Sequence, residues 1–197
     1  MIDIVRADIA ALDMDAIVNA ANSTLLGGGG VDGAIHRAAG PELARAAGPL
    51  GPCPPGEAVI TPGFGLRARF VIHAVGPIWS GGNHGEPAIL RRAYAQVFRI
   101  ARETPGIRSI ALPAISTGAY GFPKDRAARI ALTAMLENES HFSRIVACLF
   151  DPVSEDLYRQ TLAELNRVRP HLRFLGPIRP FLGQPGPRFP PWSSCPS

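Results

Sequence analysis

The sequence predicts an α/β sandwich, a mostly parallel β-sheet held between helices. Short apolar runs alternate with helical patterns through the first 167 residues. The runs are mostly continuous and rich in Val and Ile, as expected for strands covered on both faces. Glycine-rich segments follow two of the strands, where a sheet of this kind binds ligands at its carboxyl ends.

Strands are expected at residues 2–5, 16–20, 58–61, 70–74, 109–112 and 145–150, and helices at 33–39, 42–47, 88–103, 124–139 and 155–167. In the 88–103 helix, Leu90, Ala93, Tyr94, Val97, Ile100 and Ala101 follow helical spacing. Pro87 suits its start and Pro105-Gly106 ends it. Ser154 is a plausible N-cap for the last helix. Two regions result: a domain at 1–167, and a basic segment at 168–197 with eight prolines and no helical pattern, expected to be extended or disordered.

The 197 residues suffice for one sizeable core, and 46% hydrophobic with 18% charged residues excludes a disordered chain. No apolar run reaches the ~18 residues of a membrane span. The start, Met1 to Arg6, reads as an immediate strand rather than a signal peptide, so a cytoplasmic location is expected. Cys53, Cys148 and Cys195 are far apart, which argues against disulfides and metal-ligand pairs. The net charge of +4 belongs to residues 168–197, where four arginines meet no acid. The rest holds 16 basic and 16 acidic residues, which argues against a nucleic-acid-binding module.

The first glycine-rich loop carries the chemistry. A strand delivers the amides Asn19 and Asn22, four glycines follow at Gly27–Gly30, and Val31 and Asp32 open a helix. Four glycines cost backbone entropy, and the gain is close approach of backbone N–H groups to a ligand. A nest of such groups at a helix N-terminus suits a phosphate or diphosphate. The plain alternative is a flexible turn. Asp32 has two readings: a residue complementing the helix dipole, or a carboxylate that polarises a water or holds a ribose hydroxyl. Asn22 suits a ribose diol or a turn. The second loop, residues 113–123, also joins a strand to a helix. Its Ser116, Thr117 and glycines can offer N–H and hydroxyl donors, and Tyr120 and Phe122 can cover a sugar. Two such loops on neighbouring strand ends would grip a diphosphate from both sides.

Four blocks in order carry a resemblance: I-V-N-A-A-N at 17–22, G-G-G-G-V-D-G-A-I-H-R-A-A-G-P at 27–41, F-V-I-H-A-V-G-P-I-W at 70–79 and L-P-A-I-S-T-G-A-Y-G-F-P at 112–123. Over roughly residues 1–166 the chain resembles the macrodomain family, and more narrowly its MacroD-type branch. That resemblance implies a three-layer α/β/α fold and an ADP-ribose ligand. It implies that Asp8 meets the adenine amine, with Ile9 beside it, and that Phe150 packs near adenine; the alternative for Phe150 is a core residue ending a strand. The family usually has Gly before that Asp, where this chain has Ala7. Asn19, Gly28, Gly29, Gly30 and Val31, with Ser116, Thr117, Gly118, Ala119, Tyr120 and Gly121, are expected to bind substrate. Asn22 and Asp32 match the pair associated with hydrolysis. His36, His73 and Trp79 are assigned structural roles.

The implied activity is metal- and cofactor-independent hydrolysis of ADP-ribose esters: O-acetyl-ADP-ribose, and mono-ADP-ribose on acidic side chains of proteins. A monomer is expected. A non-catalytic ADP-ribose reader is the alternative, and Asp32 beside Asn22 favours the hydrolase. A poly-ADP-ribose glycohydrolase would show a Glu-Glu pair, which is absent; zinc-dependent relatives place Cys in the first loop, and there is none between Asn22 and His36. Lys124, the sole lysine, matches no nucleophile position.

Overall fold

A computed structural model describes residues 1–172. The six strands are β1 (Ile2–Arg6), β2 (Ala16–Ala21), β3 (Ala58–Pro62), β4 (Phe70–Val75), β5 (Ser109–Leu112) and β6 (Arg144–Leu149). They form one sheet in the order β1-β6-β5-β2-β4-β3. All neighbours pair in parallel except β3, which runs antiparallel to β4 at one edge. The five helices are α1 (Gly30–Ala39), α2 (Pro41–Ala47), α3 (Glu86–Glu103), α4 (Lys124–Asn138) and α5 (Pro152–Leu172).

Strand side chains alternate between faces, so adjacent residues enter different cores. Val18, Ile72, Ile110 and Ile145 pack with Leu90 and Tyr94 of α3, Leu132 and Met135 of α4 and Tyr158 of α5. Their neighbours Ile17, Val71, Ala111 and Val146 pack with Ile35 of α1, Leu43 of α2 and the Ile9–Met14 segment. These are the three layers that the continuous apolar strands required. The apolar stripe expected in the 88–103 segment is buried as a whole, with Phe98 added to it.

Most boundaries lie within one or two residues of expectation; α1 begins at Gly30 rather than residue 33, and α5 differs at both ends. Helix α5 begins at Pro152, and Ser154 is not its cap. Asp151 does the capping: it accepts the Ser154 N–H at 2.9 Å and the Ser154 hydroxyl at 2.7 Å. Proline at the first helical position lacks only an N–H that no helical partner would use. The same helix runs on to Leu172, so the first five residues of the expected proline-rich segment are helical. The remainder, 173–197, lies outside the described residues, with Cys195.

Candidate functional site

The parallel strands deliver their carboxyl ends to one rim, and β5 and β2 are neighbours in the sheet. The two glycine-bearing loops therefore stand side by side. After β2, Asn22 organises the first loop: its Nδ2 donates to Gly27 O at 3.0 Å, and its Oδ1 accepts from Thr24 N and Thr24 Oγ1. Gly27 takes φ +91 against the His36 ring, a conformation and a closeness that favour glycine. The loop enters α1 through Gly29, which makes no side-chain cap bond. The first-turn N–H groups of α1 thus have no side-chain cap, and the positive end of the helix dipole lies at this loop.

Asp32 sits in that first turn and is 6% exposed. Its two oxygens have different surroundings. Oδ1 accepts from Asn19 Nδ2 at 2.7 Å, and His36 Nε2 stands 3.4 Å away, misaligned for a hydrogen bond. Oδ2 faces Gly28: a Cβ at Gly28 would lie 3.1 Å from Asp32 Oδ2 and 3.3 Å from Asn22 Nδ2. The carboxylate and the amide therefore converge on one glycine whose missing side chain keeps the space open. Gly33 keeps the loop against the helix, because a Cβ there would meet Gly28 O at 2.4 Å.

Asn19, expected to touch substrate, is fully buried. It shares a strand face with Ile17 and Ala21, and its amide is spent inside the protein on Asp32 and on His73 Nδ1 at 3.2 Å. His73 lies opposite Asn19 in the β2–β4 pairing and reaches Thr61 Oγ1 through Nε2 at 3.0 Å. Burial, helped by nearby His36, pushes the His73 pKa down to about 4. Thr61, His73, Asn19 and Asp32 thus form a buried polar row from the β3 edge to the cleft.

The second loop behaves differently from its expected donor pattern. Ser116 takes φ +66, and its hydroxyl is buried against Gly76, where a Cβ would come within 2.1 Å. Thr117 donates its hydroxyl to Ala114 O at 2.9 Å. The Ser116 hydroxyl is thus buried against the residue just past β4, and the Thr117 hydroxyl is spent on the loop's own backbone. The loop closes through Gly121 N to Gly118 O and Phe122 N to Ser116 O. Its exposed Gly118 and Ala119 offer backbone rather than hydroxyls. Phe122, expected as a possible sugar cover, is buried and packs on Trp79 with ring centroids 4.8 Å apart. Tyr120 is half-buried at the loop's end, where its carbonyl accepts from Trp79 N.

Asp8 and Phe150 follow the ends of adjacent strands β1 and β6. Asp8 is exposed and caps a short helical turn, accepting from Ala10 N at 2.9 Å. Ile9 is 2% exposed, so its side chain belongs to the core and only its backbone can meet a ligand. Phe150 is 91% exposed, which removes the alternative of a core phenylalanine. Lys124 pairs with Asp151 at 3.2 Å.

Two supports escaped the sequence reading. Tyr94 of α3 donates to Pro113 O and accepts from Ile115 N, pinning the start of the second loop. Glu86 gathers Ser80 N, Ser80 Oγ, Gly82 N and His84 N, and so orders the segment after β4. These bonds, with its own amide first among them, hold its carboxyl down to about 2. An acid closing a Gly-rich run was the available signal for Glu86; Tyr94 was hidden within an apolar stripe. Among the described residues no group of three or more His, Cys, Asp or Glu could hold a metal, and no helix is long and apolar enough to cross a membrane.

Comparison with known proteins agrees with this fold. The Macro domain family model matches residues 18–131. A macro domain-containing protein of Chlorobaculum tepidum is 52% identical over 166 residues, covering 83% of this chain and 96% of that one. A Klebsiella pneumoniae protein named O-acetyl-ADP-ribose deacetylase is 49% identical over 168 residues, with 82% and 95% covered. Among solved structures, a mutant Oceanobacillus iheyensis macrodomain with ADPR superposes with a TM-score of 0.78 at 39% identity, covering 83% of this chain and 92% of that one. The Trypanosoma brucei macrodomain in complex with ADP-ribose gives 0.70 at 39% identity, with 81% and 68% covered. The chain belongs to the macro domain family.

Proposed function

We propose that this protein binds ADP-ribose along the rim and hydrolyses ADP-ribose esters, O-acetyl-ADP-ribose and mono-ADP-ribose on acidic protein side chains among them. The observation that carries the reading is the convergence of Asp32 Oδ2 and Asn22 Nδ2 on Gly28, at an uncapped helix N-terminus. A pure binder has no evident need for a carboxylate beside a diphosphate. The ligands and names of the relatives above support the same class.

Adenine lies against exposed Phe150, with Asp8 accepting from its amine. The diphosphate lies between the 28–30 backbone and the 117–121 backbone, and the distal ribose is oriented by Asn22. Asp32, fixed on one oxygen by Asn19, uses the other to position a water and take its proton. The water oxygen bonds to the ester carbonyl carbon, the ester C–O bond breaks, and the proton passes to the departing ribose oxygen. The products are a carboxylic acid and free ADP-ribose.

The test is acetate release from O-acetyl-ADP-ribose by the wild type, Asn22→Ala and Asp32→Ala. Wild-type release with losses of ~10²-fold or more in both variants is expected on the scale of general-base catalysis. ADP-ribose binding without acetate release leaves a reader module and defeats the hydrolase reading.

A further inference from the structure

The buried row behind Asp32 contains an arrangement with a direction. If the Asn19 oxygen faced Asp32, two acceptors would stand 2.7 Å apart, so the amide nitrogen faces the carboxylate. The same nitrogen lies 3.2 Å from His73 Nδ1, so Nδ1 accepts. A neutral imidazole carries one N–H, which is then on Nε2 and donates to Thr61 Oγ1 at 3.0 Å. Both Asn19 N–H bonds are committed, one to Asp32 and one to His73. Its Oδ1 is buried without a partner. An unmet buried acceptor costs stability. The residue is thus set for the orientation of its donors rather than for its own best solvation, a pattern found at functional sites.

We propose that His73, held by Thr61 as the Nε2–H tautomer, is a positioning residue for the hydrolysis: it locks the Asn19 amide so that Asn19 restrains Asp32 Oδ1 and leaves Oδ2 aimed at the water. This rests on the hydrolase reading. Without the imidazole acceptor, Asn19 can rotate about its terminal torsion, and the carboxylate loses its fixed donor. His73 touches no substrate, so its loss acts on turnover and not on ligand affinity. Glutamine can replace it in polarity, with an amide oxygen to accept from Asn19 and an amide nitrogen to donate to Thr61.

The experiment pairs kinetics with imidazole ¹⁵N NMR on the whole chain. Wild-type His73 is expected as the neutral Nε2–H tautomer at neutral pH, with a slowly exchanging Asn19 side-chain amide. His73→Leu is expected to lower kcat about tenfold or more, as misplacement of a reacting group does, with the ADP-ribose Kd within about threefold. Thr61→Val, which suits an edge strand and preserves volume, is expected to lower kcat less and to weaken the tautomer preference; His73→Gln is expected to recover most of the loss. An Nδ1–H or charged wild-type imidazole overturns the proposal. So does wild-type kcat in His73→Leu, a parallel fall in affinity, or His73→Gln performing no better than His73→Leu. If His73→Leu does not fold, Thr61→Val and His73→Gln decide. If the wild type releases no acetate, the hydrolase reading fails separately, and the tautomer and the Asn19 amide signals of Thr61→Val still decide whether the lock exists.

Discussion

Gly33→Ala probes how tightly the first loop is held to α1. The added Cβ would lie 2.4 Å from Gly28 O, a backbone atom, and 3.1 Å from Arg37 Nη1. The arginine can move aside, but the carbonyl must shift by about 1 Å to reach ordinary contact. Overpacking of this kind costs about 1–3 kcal/mol, partly offset by about 0.5–1 kcal/mol from replacing glycine within a helix. The net loss of roughly 0–2.5 kcal/mol corresponds to a Tm lower by up to several degrees in a domain this size. The shift also carries Gly28, the point on which Asp32 Oδ2 and Asn22 Nδ2 converge, so ADP-ribose affinity falls about tenfold or more. Gly29→Ala is the matched comparison. Its φ of −92 and ψ of −177 suit alanine, and its Cβ meets nothing within 4 Å. Its Tm should be unchanged while binding weakens, because the proposed diphosphate site lies at that backbone. Thermal melts and calorimetric titration with ADP-ribose measure both. A Gly33→Ala protein with wild-type Tm and affinity would refute the argument.

Three further outcomes follow from the same geometry. Phe150→Ala removes a 91% exposed ring, so stability should change by less than about 0.5 kcal/mol, while losing a stacking contact of about 1–3 kcal/mol should weaken ADP-ribose binding about 5- to 150-fold by titration. The Glu86 carboxyl is depressed from 4.5 to about 2 in the folded chain, so its contribution to stability is present in full above about pH 4.5 and is lost as pH falls towards 2. Denaturant midpoints of Glu86→Gln should therefore depend less steeply on pH in that window. Asp151 is likewise held down to about 2, first by the Ser154 hydroxyl, so Asp151→Ala should lower Tm by removing the α5 cap, worth about 1 kcal/mol.

Much of the fold was legible because its signals are local. Buried parallel strands are short Val and Ile runs, and β5 was bounded correctly at Ser109–Leu112. Helix α5 extends beyond its expected range at both ends, because Ser154 resembles an N-cap until its bonds to Asp151 are seen, and because proline content hides the continuation to Leu172. At the site, the glycines, Asn22 and Asp32 stood out by order along the chain. Asn19 misled, since an amide ending a strand looks available to a ligand. Strand parity with Ile17 was the overlooked signal that it faces α1. The partnership with His73 depends on the Asn19–His73 register across β2 and β4, a non-local fact no single segment contains. The conformation of Ser116, φ +66 with its hydroxyl buried against Gly76, is likewise set by packing that the order of residues along the chain does not display.

The central claim is that Asp32 is a base and not merely a ligand contact. Asp32→Asn keeps shape and replaces only the carboxylate. Single-turnover hydrolysis of O-acetyl-ADP-ribose, measured beside the ADP-ribose Kd on the same preparation, is therefore the most direct measurement. The account predicts a Kd within a few-fold of wild type and a rate lower by ~10²-fold or more. A rate near wild type with that Kd would contradict it.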